Sequence, residues 1–144
     1  MEHLIKMLKR HEGVKSHAYR CSENFITVGV GRNIDSDGGL GLSEDEIDYL
    51  LANDIRRCRA ELEEGFDWFG ELDGIRQDAL IDFNFNVGLT TFLKFKKFIA
   101  AMKKNDWPTA AKELLSSKYA KQVGARADEI AAMITSGDYQ QPNS

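Results

Sequence analysis

Leu4, Ile5 and Leu8 recur at helical spacing near the start of the chain, and Gly13 breaks the pattern. This predicts a short helix over residues 3–11 with Glu12 at its C-terminal end. From residue 17 to 32 the period changes to two. Ile26, Val28 and Val30 alternate with Thr27, Gly29 and Gly31, which is the pattern of a strand. Ser22-Glu23-Asn24 has turn chemistry, so two short strands are expected to form a hairpin across it. Asp35 to Gly39 reads as a loop.

Helical spacing then takes over. Ser43-Glu44-Asp45-Glu46 is a capping box, in which the Ser43 hydroxyl and the Glu46 carboxylate each take a free N–H. The stripe Ile47, Leu50, Leu51, Ile55, Cys58 and Leu62 follows, and Gly65 is a good stop. This is the longest predicted element. Further helices are expected over about 72–87 and 91–104. Another starts at Asp106, placed like an N-cap before Trp107-Pro108, and a last one carries Ile130, Met133 and Ile134 and stops at Gly137. Phe92, Phe95, Phe98, Ile99 and Met102 read as ordinary helix core. The tail from Gln140 to Ser144 is expected to fray. The fold class is therefore α+β and mainly α. A small N-terminal β-hairpin lobe is joined by a long helix to a helical C-terminal lobe.

At 144 residues, 42% hydrophobic and 29% charged, the chain suits one globular domain and excludes a disordered one. The net charge of −4 argues against a dedicated nucleic-acid binder. That total hides a split. Residues 33–75 hold thirteen acids against three bases, a net −10, and residues 89–126 hold nine bases against two acids, a net +7. Such asymmetry marks either a surface for a charged partner or two solvated faces. Cys21 and Cys58 form no CxxC pair and no disulfide framework. His3, His11 and His17 lack metal-ligand spacing, so neither metal nor cofactor is expected. The N-terminus has no signal-type apolar stretch, and no run of about 18 apolar residues exists to insert in a membrane.

Glu12, Cys21 and Thr27 carry the candidate chemistry. Eight residues separate Glu12 from Cys21, and five separate Cys21 from Thr27. If the hairpin folds back on the first helix, the three side chains can share one crevice. Taken singly, each has a plainer reading: a solvated helix-end acid, a small core thiol and a good strand former. The spacing followed by Gly29-x-Gly31 resembles that of the bacteriophage lysozymes (endolysins) of glycoside hydrolase family 24, T-even type. Their pattern is Glu-x8-Asp-x5-Thr, with Cys replacing Asp in some members. Phe83-Asn84-Phe85-Asn86-Val87-Gly88, Asp106-Trp107 with Ala110-Ala111, Ala125-Arg126-Ala127 and Thr135-Ser136-Gly137 are similar to later blocks of the same family, in order.

The resemblance implies one lysozyme-like domain over 1–144, with lobes of about 13–65 and of 66–144 plus 1–12. It implies hydrolysis of the β-1,4 bond between N-acetylmuramic acid and N-acetylglucosamine in peptidoglycan. Glu12 would protonate the leaving oxygen, since a glycosidic oxygen leaves poorly without a proton. Cys21 and Thr27 would hold the attacking water on the opposite face of the sugar, with inversion. A thiol bonds hydrogen weakly, and a nearby Glu12 is expected to disfavour its thiolate, so Cys21 is expected to orient water or act as a partial base. Phe85 and Asn86 would line the cleft, Asn33 is a further candidate substrate contact, and Arg126 would orient Glu12 through an ion pair. Phe98 and Glu113 stand where the family enzyme carries Ser and Asn.

Peptidoglycan strands are the expected partner, with no nucleic acid and no membrane insertion, and the protein is expected to be a monomer. The family analogy places it in the host bacterial cytoplasm, released through a holin-type pore to act on the periplasmic wall. The basic stretch would then draw it to the anionic wall; the acidic stretch has no matching partner. Three alternatives stay open on the residues alone: a wall-binding protein that does not cut, a lytic transglycosylase, and a helical nucleic-acid binder using the basic half.

Overall fold

The computed structural model describes residues 1–141, so the end of the tail, 142–144, lies outside the described residues. The chain divides into two compact units, Met1–Leu50 and Leu51–Ser144. Among the described residues no helix is long and apolar enough to cross a membrane.

The first unit opens with helix α1 (Glu2–Glu12), which ends at Gly13 with φ of 80° and buries none of its residues. Strands β1 (Lys15–Arg20), β2 (Ile26–Gly29) and β3 (Arg32–Asn33) follow and form one antiparallel sheet in chain order. Tyr19 pairs with Thr27, and Thr27 pairs in turn with Asn33. The expected hairpin thus gains a third strand, which the sequence could not announce because two residues leave no room for alternation. Between β2 and β3 the chain reverses through Gly29 and Gly31, at φ of 67° and 68°. Those values lie in the left-handed region that glycine enters without a Cβ penalty.

Helix α2 (Glu44–Gly65) starts as its capping box predicts. The Ser43 N–H donates to Glu46 Oε1 at 2.8 Å, and the Glu46 N–H donates to Ser43 Oγ at 3.4 Å. Arg32 ties the sheet to this helix start, with an ion pair to Glu46 at 2.7 Å and a hydrogen bond to the Gly41 carbonyl at 3.0 Å. The lobes implied by the resemblance differ from the observed division. Residues 1–12 group with the sheet, because the chain turns at Gly13 straight into β1, and the division falls inside α2.

The second unit continues from α2 through a 3₁₀ turn at Phe69–Glu71 into α3 (Gly74–Val87), α4 (Leu89–Phe92), α5 (Lys96–Lys103), α6 (Trp107–Leu115), α7 (Lys118–Val123) and α8 (Ala125–Ser136). Helix α8 packs on α3, α6 and α7, and α5 packs on α6. The core centres on Phe83, fully buried, whose ring lies 5.0 Å from Phe92, 5.6 Å from Phe98 and 4.9 Å from Tyr119. The single helix expected over 91–104 is two. Phe95, at ψ of 61°, breaks it and turns its ring edge-on to Phe83 at 5.0 Å. Asp106 caps α6 by accepting from the Thr109 N–H, and Gly137 stops α8 in the left-handed conformation. Arg76 clamps this unit. Its Nε donates to the Ile134 carbonyl at 2.7 Å, and its guanidinium lies 4.1 Å over the Trp107 ring.

Candidate active site

Glu12 is the last residue of α1, and its exposed carboxylate rests on the β2–β3 turn. A Cβ built on Gly31 would lie 2.7 Å from Glu12 Oε2. With a Cβ at residue 31 the Glu12 carboxylate would have to swing away from this position. The Gly-x-Gly signal thus has two physical reasons: the positive φ and the seat it leaves for Glu12.

Cys21 opens the turn between β1 and β2. Its N–H donates to the Phe25 carbonyl at 3.0 Å, and the Asn24 N–H returns to the Cys21 carbonyl at 2.8 Å. Hydrogen bonding from the backbone at Phe25 and Glu23, with a smaller contribution from the Thr27 side chain, holds the half-buried Cys21 thiol below its ordinary range. Burial and the Glu23 charge oppose this and do not win. The expectation of a disfavoured thiolate is therefore corrected. It considered a neighbouring carboxylate and missed the backbone donors of the turn.

Thr27 is 3% exposed and is the one residue of the first unit among the buried set. Its Oγ1 donates to the Phe25 carbonyl at 2.9 Å. While its proton lies on that carbonyl the hydroxyl oxygen is free to accept from a water, and turned towards Cys21 the same proton would bond the thiolate. Alternation alone suggests Ile26, Val28 and Val30 as the covered face. Ile26 and Val28 are only half-buried and Val30 is exposed, so the polar side of the strand is the covered one.

Asn33 sits opposite Thr27 in the sheet, with its side-chain carbonyl accepting from the Asp35 N–H at 3.0 Å. Asp35 in turn accepts from the Ile26 N–H at 2.9 Å and the Asp37 N–H at 3.0 Å, which lowers its pKa. Asn33 thus organises the loop as well as being a candidate contact.

The other candidates lie in the second unit. Phe85 is 44% exposed on α3, and Asn86 beside it is exposed. Asn84, which the sequence reading passed over, is buried and donates to the Cys58 carbonyl and to Glu61, each at 3.3 Å. Arg126 Nε donates to Asp82 Oδ1 at 2.8 Å, and the same guanidinium reaches the Asp82 carbonyl at 3.4 Å. Asp82, Phe85 and Arg126 line one 380 Å³ pocket with Ile81. Sequence reasoning gave no sign of the Asp82 pairing, because the two residues are 44 positions apart. Among the described residues no three His, Cys, Asp or Glu side chains gather as metal ligands would.

Known proteins sharpen this picture. The phage lysozyme family profile matches residues 9–132. A protein named probable T4-type lysozyme 1, from Dictyostelium discoideum, is 25% identical, with 91% of this chain and 92% of that protein covered. An endolysin of Acyrthosiphon pisum secondary endosymbiont phage 1 is 26% identical, over 85% of this chain and 82% of its own length. The pre-baseplate central spike protein Gp5 of Enterobacteria phage T4 is 24% identical over 95% of this chain, which corresponds to 28% of that longer protein. A profile match that takes in Glu12, Cys21, Thr27, Phe85 and Arg126 and runs on into α8 leaves one assignment: the chain belongs to the phage lysozyme family of glycoside hydrolases.

Proposed function

We propose that the protein is an endolysin that cuts the β-1,4 bond between N-acetylmuramic acid and N-acetylglucosamine, with Glu12 as general acid. The Glu12 carboxyl gives its proton to the departing oxygen of N-acetylglucosamine. A water held by Thr27 and Cys21 attacks the anomeric carbon from the opposite face, and inversion yields the α-anomer. Thr27 accepts one hydrogen of that water through the lone pairs its bond to Phe25 leaves free. Cys21, acting as the thiolate, takes the other proton as the new C–O bond forms and becomes the thiol. Cys21 thus stands where the family pattern has a carboxylate.

The single observation that carries this reading is the Cys21–Thr27 arrangement around Phe25: an acceptor hydroxyl beside a thiol whose ionised form the backbone favours. Turbidity loss of outer-membrane-permeabilised Gram-negative cells, with mass spectrometry of the released muropeptides, tests it. Wild type should give reducing ends, Glu12→Gln should release nothing, and Cys21→Asp should retain lysis. A lytic Glu12→Gln variant overturns the assignment, and 1,6-anhydro ends would make the enzyme a transglycosylase.

A further inference from the structure

The amide between Phe25 and Ile26 is held at both ends. Its carbonyl accepts from the Cys21 N–H at 3.0 Å and from the Thr27 hydroxyl at 2.9 Å, and its N–H donates to Asp35 Oδ2 at 2.9 Å. One peptide plane thus joins both water-holding residues to a carboxylate that the proposed reaction does not use. Asp35 is itself fixed. Its N–H donates to the Asn33 side chain, its other carboxylate oxygen accepts from the Asp37 N–H, and its carbonyl accepts from the Gly39 N–H at 2.9 Å. A Cβ at Gly39 would lie 2.6 Å from Asn33 Oδ1 and 2.5 Å from the Asp35 nitrogen, so the loop closes tightly on this residue. The Ile26 and Asp37 N–H groups, with a smaller contribution from the Arg20 charge, hold its pKa below the ordinary carboxylate value, which makes it an anion at neutral pH.

An anion at the N–H end of an amide polarises it and makes its carbonyl a stronger acceptor. The Thr27 proton has two acceptors within reach, the Phe25 carbonyl and the Cys21 sulfur. On the carbonyl it leaves the hydroxyl lone pairs to a water; on the sulfur it is spent on the thiolate and weakens it as a base. We propose that Asp35 is a positioning residue for hydrolysis: through the Phe25–Ile26 amide it keeps the Thr27 proton on the Phe25 carbonyl, so that Thr27 can accept from the attacking water and Cys21 can take its proton. The inference rests on the roles proposed above for Cys21 and Thr27. The other charges that act on this group are Glu23, which opposes the thiolate, and Arg20, which acts on Asp35 and donates to the Asn24 carbonyl at 3.2 Å.

The test reads Cys21 directly, without turnover. Alkylation by iodoacetamide, followed across pH at the Cys21 peptide by mass spectrometry, reports the thiolate. Asp35→Asn keeps an acceptor for the Ile26 N–H and removes the charge. Its alkylation midpoint should lie at lower pH than that of wild type, because the freed Thr27 proton bonds the thiolate. In a Thr27→Val background the same change should give a smaller shift or none. A shift undiminished there is a direct field effect of Asp35 on Cys21 and overturns the proposal, as does an unmoved or higher midpoint in Asp35→Asn alone. Asp35→Glu keeps the charge and should stay nearer the wild-type midpoint; if it matches Asp35→Asn, loop packing is the cause and the proposal falls. Hydrogen exchange at the Ile26 amide checks that its bond to residue 35 persists in each variant. On peptidoglycan, Asp35→Asn should lower kcat about fivefold with KM unchanged; an unchanged kcat overturns the positioning role. Failure of wild type to release muropeptides would sink the hydrolytic reading, and the alkylation series would still report whether Asp35 acts on Cys21 through Thr27.

Discussion

The two units are held together by different physics. Among the described residues every buried hydrophobic one, from Cys58 to Ile134, belongs to the second unit, while the buried set of the first is Thr27 alone. The second unit is an aromatic cluster around Phe83. The first is a mesh of polar bonds: Arg32 to Glu46, Asp35 to Ile26 and Asp37, and Thr27 to Phe25. Apolar burial is non-directional and insensitive to pH, whereas a hydrogen-bonded mesh depends on each partner's geometry and protonation. Of the candidate catalytic groups, Thr27 is bonded into this mesh, while Glu12 and Cys21 lie in the same unit. Local stability is characteristically low at such sites, because function draws on elements able to open.

The comparison can be broken most forcefully at its centre. Phe83→Ala should cost about 3–5 kcal/mol, read as a fall in the denaturant midpoint, because the cavity would face four aromatic rings. A small effect there would mean the cluster is not what stabilises the second unit. Next is Gly31→Ala, where a positive φ and the 2.7 Å approach to Glu12 Oε2 act together. It should lose about 1–3 kcal/mol of stability. Lysis should fall about 100-fold as the carboxylate is displaced. Full lysis by this variant would show that Glu12 does not need its seat. Thr27→Val keeps the volume and removes the donor to Phe25, at a cost of about 1 kcal/mol. Hydrogen exchange should quicken over residues 15–33 and stay unchanged around Phe83; uniform quickening would contradict a separate polar mesh.

The smallest effect is a pH dependence. Arg32 beside Glu46, together with the Ser43 N–H and hydroxyl, lowers the Glu46 carboxyl from 4.5 to about 2. A depressed carboxyl pKa stabilises the folded form above the ordinary value, and that contribution fades as pH falls from 4.5 through about 2. Glu46→Gln should therefore be less stable than wild type at neutral pH, with the gap closing across that window. A gap that persists at low pH would assign the stabilisation to something other than this ion pair.

What the sequence made legible was local. The Ser43 box, the Asp106 cap and the Gly13 and Gly137 stops are each decided by a few neighbouring residues, and each helix end falls where those residues put it. The break at Phe95 was hidden because Phe92, Phe95 and Phe98 fit one helical stripe. Packing three rings around Phe83 overrides that periodicity. Period two likewise marks a strand without saying which face is covered, so the burial of Thr27 was not readable. At the site, the Glu-Cys-Thr spacing and the glycines were visible. The backbone donors around Cys21 were not, because they belong to turn geometry, and neither was Asp82 as the partner of Arg126.

The Arg76 clamp over Trp107 has an optical consequence. Both tryptophans of the chain, Trp68 and Trp107, lie in the second unit, while two of the four tyrosines, Tyr19 and Tyr49, lie in the first and Tyr119 and Tyr139 in the second. Emission excited selectively at indole therefore watches the half built on Phe83. The sheet that carries Cys21 and Thr27 holds no tryptophan, and Tyr19 on β1 is its own fluorophore.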